Sequence, residues 1–368
     1  MHTLAERAAE VRHKLSIVRQ MMSDHQVDAL ELRLTTNLAW ITSGVPTYIN
    51  EASDTSPVTV WITSDRAFML TDKIEAPRLR EEQAVESLGF ELVIEPWYQR
   101  GAFVAQLTNG KRIGQDVPDS GLNLGGHIKA LRSVLLHSEQ DRLRANAKLA
   151  AQAMAEAIYT VRPGMTEHEA AGLLSAAARR RGGSPIVTLV ASDARIFQYR
   201  HPLPTLKPIE KYAMLVLCFR KDGFVISLTR LVHFGALSDE LNRKMHACAE
   251  VDAKVNLGTQ AGRTLGEMFN LLKDAYAAVG FPEAIEEHHQ GGSAGYASRE
   301  VIATLGNTTP IVVNQMFAWN PSIRGVKSED STLLTERGIE VLTEIPGFPI
   351  IKVAVDGQTL ARPAILQW

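Results

Sequence analysis

A short pattern of residues occurs twice in the chain, and the two copies lie 98 positions apart, as Gly164 and Gly262 show. Each copy contains a Thr-x-x-Glu capping box, which begins a helix, and a later glycine, which ends one. Chance recurrence of these common signals is the alternative explanation. Seven identities in register nevertheless favour two similar half-domains with a site between them. The matching residues are Gly164, Thr166, Glu169, Leu173, Leu174, Ala177 and Gly182 in the first copy, and Gly262, Thr264, Glu267, Leu271, Leu272, Ala275 and Gly280 in the second.

Between the two copies, the apolar segments YAMLVLCFR and FVISLTRLVHF flank the dipeptide Asp222-Gly223. An Asp-Gly pair between apolar strands is a strong signal for a two-residue hairpin turn. With these two residues in the turn, Cys218 lies opposite Ser227, and their side chains are neighbours on one face of the sheet. The pattern therefore predicts a hairpin in which Asp222 is a turn residue and not a catalytic acid.

The part of the chain before the repeat alternates short apolar segments with helical ones, which is typical of an α/β domain. Helices are predicted over residues 4–24 and 74–88. Strands are predicted to begin near residues 28, 58, 67, 91 and 112. No GxGxxG or GxxxxGK[ST] pattern lies between a strand and a helix, so a nucleotide site is not indicated.

A long helical segment marks the entrance to a second region. Ser138 is predicted to cap this helix, with Asp141 three residues on, and the helix stops at Pro163-Gly164. A chain of 368 residues is long enough for two domains. We therefore expect one domain over residues 1–137 and another over 138–368.

The charge balance limits the partners that the protein can have. With 39 basic and 41 acidic residues, the net charge is −2, and no basic stripe indicates a nucleic-acid or membrane partner. No apolar run reaches the roughly 18 residues that span a bilayer, and the N-terminal segment is amphipathic and charged. We expect a cytoplasmic protein. Its two cysteines, Cys218 and Cys248, form no disulfide framework or CxxC motif.

The segment HHQGGSAGYASRE, residues 288–300, combines chemistry that a structural loop seldom needs. It contains two adjacent histidines, three glycines and an Arg-Glu pair. Imidazoles transfer protons near neutral pH, and glycines let the backbone approach a ligand closely. A tight turn with solvated polar residues is the alternative. The mixture predicts a functional site.

Several segments resemble the sequence motifs of the creatinase, prolidase and aminopeptidase P family, both in their order and in their spacing. They are VDALELRLTTNLAWITSG at 27–44, RPGMTEHEA at 162–170, DGFVISLTR at 222–230, residues 288–300, WNP at 319–321 and GVKSEDSTLLTERGIEVLT at 325–343. The resemblance covers nearly the whole chain. It implies a creatinase-type N-terminal α/β domain followed by a pseudo-twofold "pita-bread" α/β domain, with a small-molecule substrate in its cleft and a homodimer as the usual assembly.

Peptidases of that family hold two divalent metals with two Asp, one His and two Glu, and the chain departs from this set. The first Asp position falls on Val216, or on Cys218 if the hairpin is shorter, and the second falls on Ser227. The metal His and one Glu positions fall on Gly292 and Asn320. Of the set, only Glu329 remains. Because one carboxylate cannot hold two divalent ions, we expect no metal and no cofactor.

The resemblance is therefore to the metal-free, creatinase-like branch, which hydrolyses a C–N bond of a small amidine, amide or amino-acid derivative. It implies His201 as general base, His288 sharing the proton transfer, and Glu329 binding a cationic or hydrogen-bond-donating group. Substrate contacts are expected from a second set, with Arg299 as a carboxylate clamp. The set is Arg299, Glu300, Asn320, Ser227 and Cys218.

Two other interpretations stay open. One is a non-catalytic pita-bread binding protein that holds a peptide or metabolite in its cleft. The other is an Xaa-Pro aminopeptidase or dipeptidase with atypical metal ligands. For Cys218, inert packing in an apolar strand is the simpler explanation than a nucleophilic thiol.

Overall fold

The computed structural model of the protein describes residues 3–117 and 119–368. The chain divides into two compact units, Met1–Ser133 and Val134–Trp368. As domain assignments, residues 1–137 and 138–368 stay predictions. Over the two described ranges, no helix combines the length and the apolar character that crossing a membrane requires.

The first unit has one six-stranded sheet in the order β4-β3-β2-β1-β5-β6, flanked by helices. The helix predicted over residues 4–24 is present and begins with a capping box between Thr3 and Glu6. Its helices are α1 Leu4–Asp24, α2 Thr35–Ile41, α3 Ala102–Thr108 and α4 Gly125–Arg132. Its strands are β1 Ala29–Leu34, β2 Thr55–Thr63, β3 Ala67–Asp72, β4 Glu91–Glu95, β5 Ile113–Gln115 and β6 Leu122–Asn123.

The helix predicted over residues 74–88 is wrong in extent. Only one π-helical turn forms, Arg78–Glu82. Ala84 takes a φ of 51°, which interrupts helical backbone, and the Val85 N–H turns back to the Leu79 carbonyl at 3.2 Å. The apolar residues Leu79, Val85 and Leu88 are nevertheless buried. The spacing of apolar residues therefore predicted burial correctly, although the backbone is not helical over the predicted range.

The second unit contains two larger sheets, two small two-stranded sheets and the helices that cover them. The larger sheets have the orders β19-β9-β8-β7 and β11-β10-β12-β15-β16, and the small ones pair β13 with β14 and β17 with β18. The helices are α5 His137–Thr160, α6 Glu167–Arg180, α7 Ala194–Gln198, α8 Asp239–Gly258, α9 Leu265–Ala278 and α10 Ala284–Glu287. The strands are β7 Ser184–Ser192, β8 Tyr212–Lys221, β9 Phe224–His233, β10 Gly291–Ala294, β11 Val301–Ile302, β12 Gln315–Trp319, β13 Ser322–Ile323, β14 Val326–Lys327, β15 Asp330–Thr335, β16 Gly338–Val341, β17 Ile350–Val355, β18 Gln358–Pro363 and β19 Ile365–Gln367.

The two copies of the repeated pattern adopt the same local structure. Helices α6 and α9 have 14 residues each, and each begins with the predicted capping box, at Thr166 and at Thr264. The preceding glycines have nearly the same φ, 89° at Gly164 and 91° at Gly262. Each copy therefore supplies one helix to one half of the unit.

The N-cap of α5 lies two residues before the predicted one. The helix begins at His137, and Leu136 is its N-cap, so Ser138 lies inside the first turn. The carboxylate of Glu139 accepts a hydrogen bond from the Leu136 N–H at 2.9 Å. This backbone contact to a glutamate at the third helical position replaces the serine cap that the sequence suggested.

The predicted hairpin of β8 and β9 is confirmed. Asp222 and Gly223 have φ of 49° and 83°, the pair of positive values that a type I′ turn requires. The register places Cys218 opposite Ser227, and their sulfur and oxygen atoms lie 3.3 Å apart. The Asp222 carboxylate accepts a hydrogen bond from Asn146 Nδ2 at 3.0 Å, which supports its structural role.

The four-stranded and five-stranded sheets of the second unit meet where β9 passes β15. The Thr229 N–H donates to the Glu329 carbonyl at 3.1 Å, and the Ser227 N–H donates to Ser331 Oγ at 2.9 Å. This junction brings residues from both halves of the unit together around Glu329.

A buried network of ion pairs stabilises the junction from behind. Arg362 contacts Asp252 at 2.6 Å and Asp330 at 2.7 Å, and Arg230 contacts Asp330 at 2.7 Å. These four side chains are at most 3% exposed, and their charges cancel. Asp330 and Arg230 therefore have a structural role. The neighbouring carboxylate, Glu329, does not take part in this network and has different partners.

Candidate active site

Glu329 lies between β14 and β15 and is 2% exposed. Its carboxylate contacts Lys327 Nζ at 2.9 Å and Arg299 Nη2 at 3.0 Å, and it accepts a hydrogen bond from Thr229 Oγ1 at 2.7 Å. Burial alone would raise the pKa of Glu329, but the charges of Lys327 and Arg299 and the hydrogen bonds outweigh burial and lower the pKa to about 2. The side chain is therefore an anion at neutral pH.

Arg299 extends this arrangement to the predicted residues of the hairpin. Its Nη1 donates to Ser227 Oγ at 3.4 Å, and Ser227 Oγ contacts Cys218 Sγ at 3.3 Å. Burial raises the pKa of the Cys218 thiol, and the charge of Glu329 raises it further. A protonated thiol is a poor nucleophile, so the packing interpretation of Cys218 is supported.

The other two predicted residues also lie at this junction. Glu300 is 5% exposed, and its Oε1 accepts a hydrogen bond from the Ala297 N–H at 3.1 Å, which shapes the loop that carries Arg299. Asn320 is 2% exposed, and its N–H donates to the Gln290 carbonyl at 3.2 Å. Asn320 Oδ1 has no hydrogen-bond partner within residues 3–117 and 119–368, so it offers a buried acceptor.

Three histidines form a second cluster. Nε2 of His201 lies 2.9 Å from Nε2 of His288, and the His288 and His289 rings stack with centroids 4.5 Å apart. One ring nitrogen from each histidine can be chosen so that all three lie within 4.8 Å of one another. His288 is only 8% exposed, whereas His201 and His289 are exposed.

Local hydrogen bonds hold the histidine loop in place. Tyr276 Oη donates to Gln290 Oε1 at 2.7 Å, and Gln290 Nε2 donates to the His288 carbonyl at 2.5 Å. The glycines that follow let β10 pass close to its neighbours: a Cβ at Gly291 would lie 2.2 Å from the Ala318 carbonyl oxygen. The sequence thus places small residues where the backbones approach and anchors the histidines beside them.

All three imidazoles are uncharged at neutral pH. Burial lowers the pKa of His201, and the charge of Lys327 lowers it further. For the same two reasons the pKa of His288 falls to about 2. Burial and the charge of Arg299 lower the pKa of His289 to about 4. Since the charges of the Glu329 group act on all three rings, the two clusters belong to one site.

The site does not fit the two-metal centre that the resemblance implies for peptidases. Val216 is an apolar residue, and a Cβ at Gly292 would lie 2.1 Å from the Val301 carbonyl oxygen, so no histidine can replace this glycine without a backbone change. Glu329 is already paired with two cations, which leaves one positive charge in excess. A pair of divalent ions needs several anionic ligands, and this arrangement opposes them.

Sequence reasoning missed Lys327 and Thr229, and it named His289 only as one of two adjacent imidazoles that can transfer protons, without placing it among the site residues. A signal was present for Lys327, since it lies two residues before Glu329 and alternate residues of an extended segment share one face. Thr229 lies 100 positions from Glu329 in the chain, and only the register of the two sheets brings them together.

Comparison with known proteins agrees with this architecture. The chain is 24% identical over 225 residues to an uncharacterised peptidase of Staphylococcus haemolyticus, a match that covers 59% of this chain and 64% of that protein. It is 24% identical over 366 residues to an uncharacterised peptidase of Bacillus subtilis, covering 90% of this chain and 98% of that one. An Xaa-Pro dipeptidase from Bacillus anthracis superimposes with a TM-score of 0.73 at 22% identity, covering 91% and 98%.

The fold is that of a two-domain α/β protein of the pita-bread class, so the predicted fold is confirmed. Residues 141–336 match the family described as metallopeptidase family M24, and the chain belongs to that family. The match confirms the expected family. The aligned part spans 64% of the length of the staphylococcal relative, and the reaction itself is taken up as a proposal.

Proposed function

We propose that the protein is a creatinase-like hydrolase that cleaves a C–N bond of a small amidine, amide or amino-acid derivative without a two-metal centre. One observation carries the proposal: Glu329, the one carboxylate retained from the metal-binding pattern, is paired with Lys327 and Arg299, and uncharged imidazoles lie beside this group. Such a site combines proton acceptors with positive charge, whereas a two-metal centre needs several anionic ligands.

In this mechanism His201 is the general base. Its Nδ1 takes a proton from water, the resulting hydroxide adds to the electrophilic carbon, and the same proton then passes to the leaving nitrogen as the C–N bond breaks. His288 Nε2 lies 2.9 Å from His201 Nε2, and this hydrogen bond holds the His201 ring in one orientation and makes Nδ1 the nitrogen that can act as base. His201 is the better base because His288, with a pKa of about 2, holds a proton only weakly.

The cations bind and polarise the substrate. Glu329 holds Lys327 and Arg299 in place and acts neither as acid nor as base, since its pKa is about 2. The excess positive charge favours a substrate with a carboxylate or a developing oxyanion. Ser227 orients Arg299, Asn320 Oδ1 accepts a hydrogen bond from the substrate, Glu300 shapes the loop, and Cys218 packs beside Ser227.

The test is turnover after removal of metals. The protein, dialysed against EDTA, is offered a panel of N-acyl, ureido and guanidino amino acids and Xaa-Pro dipeptides. Replacing His201 by Ala should lower kcat by roughly a hundredfold or more on any compound that is hydrolysed. H137A is the matched control, because the His137 side chain is 88% exposed at the start of α5. Unchanged turnover in H201A refutes the proposed role of His201.

The similarity to an Xaa-Pro dipeptidase supports one alternative, peptide hydrolysis with atypical metal ligands. Activity on an Xaa-Pro dipeptide that appears only when Mn²⁺ or Co²⁺ is added would favour this alternative over ours. A non-catalytic binding protein would bind members of the panel and hydrolyse none. The homodimer and the cytoplasmic location stay predictions, and sedimentation equilibrium tests the first of them.

A further inference from the structure

We propose that His201, His288 and His289 together bind one transition-metal ion of the Zn²⁺ class, and that the bound ion inhibits the hydrolase. Binding stands on the geometry of the cluster alone. Inhibition rests on the function proposed above. The three ligands occupy none of the positions at which the resemblance places metal ligands of peptidases, so this would be a different centre with a different donor set.

The distances suit a single ion. A Zn–N bond is about 2.0–2.1 Å long, so two imidazole nitrogens on one tetrahedral ion lie roughly 3.3 Å apart. His201 Nε2 and His288 Nε2 are 2.9 Å apart, which requires only a small opening of the pair. The third nitrogen, from His289, lies within 4.8 Å of the others. Because His289 is exposed, its ring can rotate toward the ion without disturbing the core.

A second observation points independently to a ligand. His288 is 92% buried, since it is 8% exposed, and its Nδ1 has no hydrogen-bond partner in the described part of the chain. A buried polar atom without a partner is costly in a folded protein. With Nε2 on the ion, Nδ1 would carry the ring proton and donate it to a water, so the tautomer that coordination requires is one that no contact of the described residues opposes.

The chemistry of the donors selects the class of ion. Three uncharged imidazoles suit Zn²⁺, Ni²⁺ and Cu²⁺, whereas Mg²⁺, Ca²⁺ and Mn²⁺ prefer carboxylate oxygens. The excess positive charge of Lys327 and Arg299 over Glu329 opposes any cation, so only ions with strong affinity for imidazole should bind.

Inhibition follows from the identity of the ligand atoms. In the proposed mechanism His201 Nδ1 must accept a proton from water. An ion coordinated by Nε2 of the same ring places positive charge beside Nδ1 and withdraws electron density from it, so the ring becomes a much weaker base. Zinc at micromolar concentration should therefore suppress turnover, and EDTA should restore it.

The experiment uses the full chain without a histidine tag, freed of metal by EDTA and desalted. Calorimetric titration with Zn²⁺ should show about one ion per chain, and Co²⁺ should produce visible absorption bands of four-coordinate nitrogen ligation. Replacing His289 by Ala should weaken zinc binding by at least about tenfold, because one of three ligands is lost. H137A is again the control and should bind zinc as the unmodified chain does.

The outcomes separate this inference from the proposed function. Stoichiometric binding that weakens in H289A but not in H137A supports the site. Absence of binding, or equal binding by H289A, overturns the site and leaves hydrolysis in EDTA untouched. Binding accompanied by higher turnover keeps the site, overturns its inhibitory role and refutes the metal-free mechanism. Thermal unfolding of H289A at the temperature of the unmodified chain would verify that the variant is folded.

Discussion

Replacing Glu329 by Gln should expose how much the protein depends on this buried anion. The pKa of Glu329 falls from an ordinary value of 4.5 to about 2, because Lys327, Arg299 and Thr229 together outweigh its burial. At about 1.4 kcal/mol per pKa unit, this difference corresponds to about 3 kcal/mol of folding stability at neutral pH. In E329Q the two cations would also repel each other without an anion between them.

The pH dependence gives this prediction its sign. A carboxyl group with a depressed folded-state pKa stabilises the protein above its unfolded-state pKa, near 4.5, and loses that contribution as the pH falls toward about 2. Urea unfolding of the unmodified chain and of E329Q should therefore differ by about 3 kcal/mol at pH 7 and progressively less below pH 4.5.

A matched control separates the buried ion group from surface charge. Glu340 pairs with Arg144 at 2.9 Å, and both side chains are more than one third exposed. E340Q should change the free energy of unfolding by less than about 1 kcal/mol. A difference between the unmodified chain and E329Q that stays constant from pH 7 to pH 3 would refute the reasoning about Glu329.

Three further predictions follow from the same site. Replacing Arg299 by Met should raise KM for carboxylate-bearing substrates by roughly tenfold with a smaller change in kcat, as steady-state kinetics would reveal; an equal loss on uncharged substrates would contradict a carboxylate contact. Replacing Gly292 by Ala should lower the free energy of unfolding by about 1–3 kcal/mol, because the new Cβ would clash with the Val301 carbonyl oxygen. The control is Gly338→Ala, since no atom lies close to a Cβ at that position and only the positive φ is unfavourable there. The acidic limb of kcat/KM should lie below the ordinary histidine pKa of 6.5, because burial and Lys327 lower the pKa of His201 and a base must be unprotonated; a limb above that value would exclude His201 as the base.

Local signals in the sequence predicted local structure well. Both capping boxes of the repeat, the Asp222-Gly223 turn and the pairing of Cys218 with Ser227 follow from residues within about ten positions of each other. The helix over 74–88 failed for the opposite reason. There the spacing of apolar residues predicted which side chains are buried. It did not predict that Ala84 takes a positive φ, which interrupts the helix.

The functional site shows the same division. The sequence identified Glu329, Arg299 and the histidines as candidates, because that step requires only the type of each residue and its position in a motif. It did not reveal that Glu329 is already paired with Lys327. The sequence predicted that Glu329 binds a cationic group of the substrate. In the structure its carboxylate is instead paired with two side chains of the protein itself, Lys327 and Arg299.

The sequence by itself determined the fold class and the two copies of the repeated pattern, and it predicted the departure from the two-metal ligand set, since each depends on which residues stand at which positions. The tertiary structure alone decided that His201 meets His288, 87 positions along the chain, and that three imidazoles remain uncharged beside an excess positive charge. The physical reason is that burial and charge act through space. Their effect on a pKa depends on distances that only the packed sheets and their connecting loops establish.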